Sequence, residues 1–170
     1  MSSDLAENEE AEYEVEKVIY HDNFNVGPYL NNDIAIIVIK SNDSSGMQFG
    51  QFVSPICLPA SNLVYPPNLN LTITGWGKIG FEGAHSDASN LPRLNAQGAV
   101  IELQEATIPL LSSNKCTAPK VYGKEKISIG MFCAGDLDGK MDACQGDSGG
   151  PAVAEVNGRY TLFGKSMMHP

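Results

Sequence analysis

The chain has 170 residues, of which 42% are hydrophobic and 18% are charged, and its formal net charge is −9. This length and composition are typical of one globular domain with a hydrophobic core and exclude a largely disordered chain. The acidic balance predicts no nucleic-acid partner, because phosphate contacts need clustered Lys and Arg. No stretch reaches the roughly 18 apolar residues of a membrane-spanning helix, so the sequence predicts no membrane partner either.

Acidic residues crowd the N-terminus. They are Asp4, Glu7, Glu9, Glu10, Glu12, Glu14 and Glu16. Such a block of like charges is typical of a solvated terminus, and we expect residues 1–11 to be an acidic disordered segment. A calcium-binding loop is the alternative, but no regular ligand spacing supports it, and we expect neither a metal nor a cofactor. The first ten residues also lack the basic and apolar regions of a signal peptide.

Three strand patterns follow in the first half of the chain. Residues 13–20 (YEVEKVIY) alternate in the way typical of a half-buried strand. Residues 34–39 (IAIIVI) are a short β-branched run between polar turns, which predicts a buried strand. Residues 71–74 (LTIT) predict a strand that leads into Gly75-Trp76-Gly77.

The second half continues the β pattern. Residues 99–103 and 106–110 predict a strand pair or one bent strand, and residues 78–98 predict a long polar surface loop. Residues 112–115 are the one helical candidate, about one turn long. Asn157-Gly158 separates two apolar runs and predicts a β-hairpin. Gly and Pro punctuate these short runs, so we expect an all-β fold.

Ser148 lies in the segment Asp142–Pro151, which reads DACQGDSGGP. A serine hydroxyl needs exposure and activation before it acts as a nucleophile. Gly149 and Gly150 allow a tight turn that projects the hydroxyl, and Gly146 lets its N–H point with that of Ser148 at a developing oxyanion. A nucleophile elbow of the α/β-hydrolase kind would be followed by a helix, whereas a β-hairpin pattern follows here.

Six other blocks precede this segment in a fixed order, and over residues 12–164 the chain resembles the chymotrypsin-like serine proteases, trypsin-type branch. The blocks are IYHDNF, NNDIAIIVI, VSPICLP, TGWG, LQEATIPLLSSNKC and MFCAG. The resemblance implies an all-β, double β-barrel fold, truncated to part of the first barrel and most of the second. Residues 165–170 do not continue the family pattern, and we expect them to form a separate C-terminal tail.

The resemblance assigns roles to five residues. Ser148 corresponds to the nucleophile, Gly146 and Ser148 to the oxyanion-hole donors, and Asp33 to the triad aspartate that orients the histidine. Asp142 corresponds to the base of the primary specificity pocket, where a carboxylate implies cleavage after Arg or Lys. Asp147 corresponds to the residue that pairs with the N-terminus released by zymogen cleavage, and we expect it to lack that neutralising partner here.

The family's catalytic histidine block has no counterpart. His21, His85 and His169 all lie at positions that do not match the catalytic base. The substrate-binding strand that follows the nucleophile segment in the family is also missing. Losing the histidine of such a triad lowers turnover on the order of 10^6-fold in a measured serine protease, so we expect this chain to be inactive.

The four cysteines fit the same alignment. Cys116 and Cys133 match a family disulfide pair, whereas the counterparts that Cys57 and Cys144 would bond lie in parts of the family domain that have no match here. An open first barrel would leave strand edges and core side chains exposed, so we expect low stability.

Two functions are compatible with these features. The first is part of a trypsin-like serine endopeptidase that acts on protein or peptide substrates with Arg or Lys, is made as a zymogen, is bound by protease inhibitors and is extracellular. The alternative is a non-catalytic serine protease homologue that binds inhibitors or zymogens. The retained Asp33, Asp142 and Ser148 favour the first, and the absent histidine favours the second.

Overall fold

The computed structural model describes residues 11–40, 46–61, 65–66, 68–77, 101–135 and 146–167. Within these ranges the chain forms six strands, one single-turn helix and one 3-10 turn. The chain divides into two compact units, one of residues 1–55 with 114–132 and the other of residues 56–113 with 133–170. None of the described helices is long and apolar enough to cross a membrane.

The first unit contains a two-stranded antiparallel sheet. Strand β1 (Val15–Tyr20) pairs with β2 (Ala35–Ile39), with Tyr20 opposite Ala35 and Val18 opposite Ile37. The turn between them holds residues 21–34. The strands confirm the sequence prediction for both segments, with bounds one or two residues shorter.

The burial predicted for these two strands is wrong. All six residues of β1 are exposed, and so are the first three of β2. Ile36 and Ile37 keep 64% and 61% of their surface accessible, although they lie in the most apolar run of the chain. A two-stranded sheet buries little side-chain surface unless another layer packs against it, so β-branched composition alone did not determine burial.

The second unit contains a four-stranded antiparallel sheet in the order β4-β3-β5-β6. Its strands are β3 (Asn70–Gly75), β4 (Gln104–Pro109), β5 (Pro151–Val156) and β6 (Arg159–Lys165). The central strand β3 pairs with β4 along its full length and with β5 at Thr72 and Ile73. Residues around Cys57 continue the sheet beyond β6 through a parallel bridge to Thr161.

The buried side chains of this sheet follow the two-residue period of a strand. They are Leu71 and Ile73 of β3, Ile108 of β4, Ala152 and Ala154 of β5, and Thr161 and Phe163 of β6. Side chains of alternate residues point to one face, so these seven residues form one buried layer, apolar except for Thr161. Phe163 also contacts Tyr65, with ring centroids 5.0 Å apart.

The predicted hairpin is confirmed. Strands β5 and β6 pair from Val156–Arg159 outward, and Asn157 and Gly158 have φ angles of 52° and 76°. Positive φ at both central positions is the requirement of a type I′ turn, which Asn-Gly meets at little steric cost.

Other predicted elements differ in detail. The helix α1 spans Ser113–Cys116, one residue later than predicted, and a 3-10 turn that was not predicted spans Lys124–Lys126. Residues 101–103 are not in a strand, and β4 begins two residues before the predicted run 106–110. Residues 78–100 lie outside the described residues. The strand content nevertheless confirms the all-β fold class.

Candidate active site

Ser148 lies on an exposed turn that leads into β5. Gly146 and Gly149 on either side of it have φ angles of 105° and 85°, a region that L side chains rarely adopt. The turn is fixed to the end of β6 by two backbone hydrogen bonds, from Gly149 N to Ser166 O (2.8 Å) and from Ser166 N to Gly150 O (2.7 Å). The glycines therefore shape the turn, and the sheet holds it in place.

The backbone N–H groups of Gly146 and Ser148 are available to a ligand. Among the residues that the structure describes, neither the N–H of Gly146 nor that of Ser148 donates a hydrogen bond to the protein. Two backbone donors without a described protein acceptor are what an oxyanion requires. The roles of Gly146 and Ser148 in catalysis remain predictions.

Asp147 turns inward where Ser148 turns outward. Its side chain is part-buried, and its Oδ1 accepts a hydrogen bond from the backbone N of Gly77 (2.8 Å). Its carbonyl oxygen accepts a second bond from Gly150 N (2.9 Å). The carboxylate expected to lack a neutralising partner is thus hydrogen-bonded to the chain's own Trp76–Gly77 turn.

Two glycines at the end of β3 make room for this carboxylate. A Cβ placed on Gly75 or on Gly77 would overlap the carboxylate atoms of Asp147. A Cβ on Gly146 would lie 3.0 Å from the Cα of Gly77, so the two backbones are in direct contact there. The Gly75-Trp76-Gly77 motif is recognisable in the sequence, but its contact with Asp147 is not, because Gly77 and Asp147 are 70 residues apart.

Asp33 lies in the first unit, at the point where the turn 21–34 enters β2. Asp33 is part-buried, and it interacts with another group of the protein. The preceding residue Asn32 has a φ of 54°, and the N–H of Ile34 bonds to the carbonyl of Asn32 (2.8 Å), so Asp33 lies at the centre of a tight turn. Asp33 and Ser148 belong to different units.

The histidines are placed as follows. His21 follows β1, is exposed, and accepts a hydrogen bond on its Nδ1 from the backbone N of Asn23 (3.0 Å). This bond fixes the ring on its local turn. His85 and His169 lie outside the described residues, as do Asp142 and Cys144.

The cysteines of the described segments are in two states. Cys116 and Cys133 are both disulfide-bonded, and both are buried, with 2% and 7% of their surfaces accessible. Cys57 is a free thiol of intermediate exposure. In the described residues no group of three or more His, Cys, Asp or Glu side chains could hold a metal ion.

The fold and the serine turn define a class of protein, and comparison with known proteins gives the same class. The family model described as Trypsin matches residues 1–167, and the chain therefore belongs to the trypsin family of serine proteases. The match extends beyond residues 12–164 at both ends.

Three relatives illustrate the similarity. The chain is 39% identical over 150 residues to the human hepatocyte growth factor activator serine protease, covering 88% of this chain and 21% of that protein. It is 41% identical over 139 residues to coagulation factor XII of Cavia porcellus, covering 79% of the chain and 20% of the relative. Transmembrane protease serine 11C of Mus musculus is 36% identical over 141 residues, with 83% and 28% covered. The chain thus spans about a fifth to a quarter of these relatives.

Proposed function

We propose that this chain is part of a serine endopeptidase that cleaves after Arg or Lys, with Ser148 as the nucleophile. The observation that supports this most directly is the Ser148 turn. Ser148 is exposed, the backbone N–H groups of Gly146 and Ser148 have no acceptor among the described residues, and positive-φ glycines and the end of β6 hold the turn. Such pre-organised donors stabilise the oxyanion of acyl transfer, and removing one costs about 10^2- to 10^3-fold in turnover.

Every group of the family reaction except the general base then has a candidate. The Oγ of Ser148 attacks the scissile carbonyl carbon, and the carbonyl oxygen becomes the oxyanion beside the N–H groups of Gly146 and Ser148. Asp142 supplies the carboxylate that pairs with an Arg or Lys side chain of the substrate. In a complete protease, Asp33 would orient and stabilise the imidazole that accepts the Oγ proton.

The general base is the missing group, and we propose that the 170-residue chain does not turn over substrate by itself. None of its three histidines occupies the family position of the base, and His21 is engaged through Nδ1 with its own turn. Without a base the Oγ proton has no acceptor, and the loss of the histidine alone removes about as much rate as loss of the whole triad.

A biochemical test uses the purified chain of residues 1–170 with an Arg-linked chromogenic peptide and a fluorophosphonate probe. The expected result is no turnover above the Ser148→Ala variant and no labelling of Ser148. Labelling of Ser148, or turnover that Ser148→Ala abolishes, would overturn the proposed inactivity and would support the assignment of the nucleophile.

A second test addresses the parent activity. Sequencing the transcript upstream of the Met1 codon should reveal an open reading frame with a signal peptide, an activation site and a histidine block. The protein encoded by that longer frame is then expected to cleave Arg and Lys substrates and to lose this cleavage in Ser148→Ala. An in-frame stop codon directly before Met1 would contradict the proposal.

The second candidate is a non-catalytic homologue that binds protease inhibitors or zymogens. The observation in its favour is that the turn 146–150 is formed around Ser148, whereas His21, the histidine within the described residues, is hydrogen-bonded to its own turn. An immobilised chain that retains a serine-protease inhibitor equally well with and without Ser148→Ala, and never forms a covalent adduct, would favour this candidate over the first.

A further inference from the structure

The turn 21–34 is held together by asparagine side chains. Within it, the Oδ1 of Asn25 accepts from the backbone N of Leu30 (2.9 Å), and the Nδ2 of Asn32 donates to the carbonyl of Asn23 (3.0 Å). Asn25 and Asn32 also take the left-handed backbone conformation that Asn tolerates. Both of these hydrogen bonds stay within the turn itself.

Asn31 differs, because its amide joins the turn to a segment 97 residues further along the chain. Its Nδ2 donates to the carbonyl of Val26 (2.7 Å), and its Oδ1 accepts from the Oγ of Ser128 (2.6 Å), a bond that is part-buried. Both residues belong to the first unit. The bond therefore connects the turn directly with the segment of residues 114–132.

The chemistry of the partners fixes the direction of these bonds. A carbonyl oxygen accepts only, so the amide NH2 of Asn31 must face Val26, and its oxygen must face Ser128. The Oγ of Ser128 in turn accepts from the N of Gly130 (3.3 Å), which leaves its own hydrogen to donate to Asn31. The two side chains are therefore complementary in one arrangement alone.

Asn31 also lies two residues before Asp33, and its own backbone is bonded on both sides. Its N–H donates to Pro28 O (3.0 Å) and its carbonyl accepts from Asn25 N (2.7 Å). On the other side of Asp33, the carbonyl of Ile34 accepts from His21 N (3.2 Å), where the β1–β2 pairing begins. The backbone of Asp33 is thus held between the sheet and the Asn31 amide.

We propose that Asn31 and Ser128 form a positioning pair that fixes the turn from which Asp33 projects. Neither residue contacts substrate; they act through the Asp33 backbone. The proposal rests on the proposed function only in taking Asp33 as the aspartate whose placement matters.

The experiment compares the Asp33 side-chain 13Cγ resonance and the hydrogen exchange of residues 24–34 in the full 170-residue chain. Ser128→Ala removes the donor, and we expect the 13Cγ resonance to move and exchange of residues 24–34 to accelerate about 5- to 10-fold, the size of one intramolecular hydrogen bond. Ser128→Thr keeps the hydroxyl and is expected to restore both readouts. Lys126→Ala, an exposed position in the same segment, is the matched control and should change neither.

An unchanged Asp33 resonance in Ser128→Ala, or an equal shift in Lys126→Ala, would overturn the proposal. Exchange at β1 (residues 15–20) in the same unit reports whether a variant unfolds that unit. If Ser128→Ala does so, Ser128→Cys, whose thiol is a weak donor of similar size, replaces it with the same expected shift. None of these readouts measures peptide cleavage. The result can therefore be interpreted even if the proposed endopeptidase function fails.

Discussion

At the residue scale, the position of the Asp147 carboxylate depends on two glycines, whose lack of a Cβ leaves space for it. Asp147 can accept its hydrogen bond from Gly77 only because Gly75 and Gly77 carry no Cβ. The same contact keeps Gly146, one of the two proposed oxyanion donors, against the backbone of Gly77. The geometry of the nucleophile turn is thus linked to the end of β3 through Asp147.

This link predicts the effect of Gly77→Ala. The new methyl group would overlap the Asp147 carboxylate, so the carboxylate must leave and the turn 146–150 must loosen. We expect faster hydrogen exchange at residues 146–150 and altered acrylamide quenching of Trp76, which is the single tryptophan of the chain. Gly75→Ala should behave in the same way.

Gly50→Ala is the matched control for these variants. A Cβ on Gly50 meets no atom within 4 Å, and its φ is not in the left-handed region. Both readouts should therefore match those of the unmodified chain. If Gly77→Ala proves as silent as Gly50→Ala, the glycine requirement for Asp147 is wrong.

At the element scale, the β5–β6 hairpin holds the end of the nucleophile turn, because Ser166 directly follows β6 and bonds to Gly149 and Gly150. The hairpin depends on left-handed φ at Asn157 and Gly158. A β-carbon at Gly158 meets no neighbouring atom, so any penalty there comes from backbone conformation alone.

Gly158→Ala should therefore destabilise the hairpin by about 1 kcal/mol, the order of cost for forcing Ala into this region. Gly158→Asn should cost less, because Asn tolerates the left-handed conformation. The measurement is hydrogen exchange of residues 151–165 in the two variants. Equal exchange in both would mean that the turn does not require this backbone conformation.

The two sheets also predict responses of different size to the same substitution. Ile73 of β3 is 8% exposed, whereas Ile37 of β2 is 61% exposed. Ile73→Ala should lower the local stability of the four-stranded sheet by about 2–5 kcal/mol, through lost burial and a cavity. Ile37→Ala should change the local stability of the two-stranded sheet by less than about 0.5 kcal/mol. Exchange of residues 70–75 measures the first effect and exchange of residues 15–20 the second, and similar effects at the two positions would contradict the burial pattern.

At the scale of the whole molecule, apolar residues are distributed unevenly. The buried apolar side chains of the described strands all come from the four-stranded sheet, while β1, β2 and their flanks expose large apolar side chains. They include Val15, Ile19, Tyr20, Ile34, Ile36 and Ile37. Contiguous exposed apolar surface is a feature of interaction sites and of chains prone to association.

We therefore expect the purified chain to unfold over a broad temperature range without a sharp cooperative transition, and to bind the hydrophobic dye ANS at room temperature. The physical reason is that a chain with little core in one unit cannot offset its conformational entropy there. Calorimetry and dye fluorescence measure the two properties. A single sharp unfolding transition with no dye binding would show that the exposed strands do not weaken the chain.

The local features of this protein follow from its amino-acid sequence alone. The Asn-Gly hairpin, the β-branched strands and the glycines around Ser148 are specified by backbone preferences that act over a few residues. The family blocks, including the Cys116 and Cys133 positions, can also be recognised in the sequence, because each is a short contiguous motif. These are interactions whose energies depend on near neighbours in the chain.

Which of these features contact one another depends on the tertiary fold. The exposure of β1 and β2 depends on what packs against them, and an alternating or continuous apolar pattern states only that burial is possible. The Asp147–Gly77 and Asn31–Ser128 bonds join residues 70 and 97 positions apart, and no local preference encodes such a pairing. The serine turn can thus be predicted from its own residues. The contacts that hold it and the Asp33 turn in place arise from the fold.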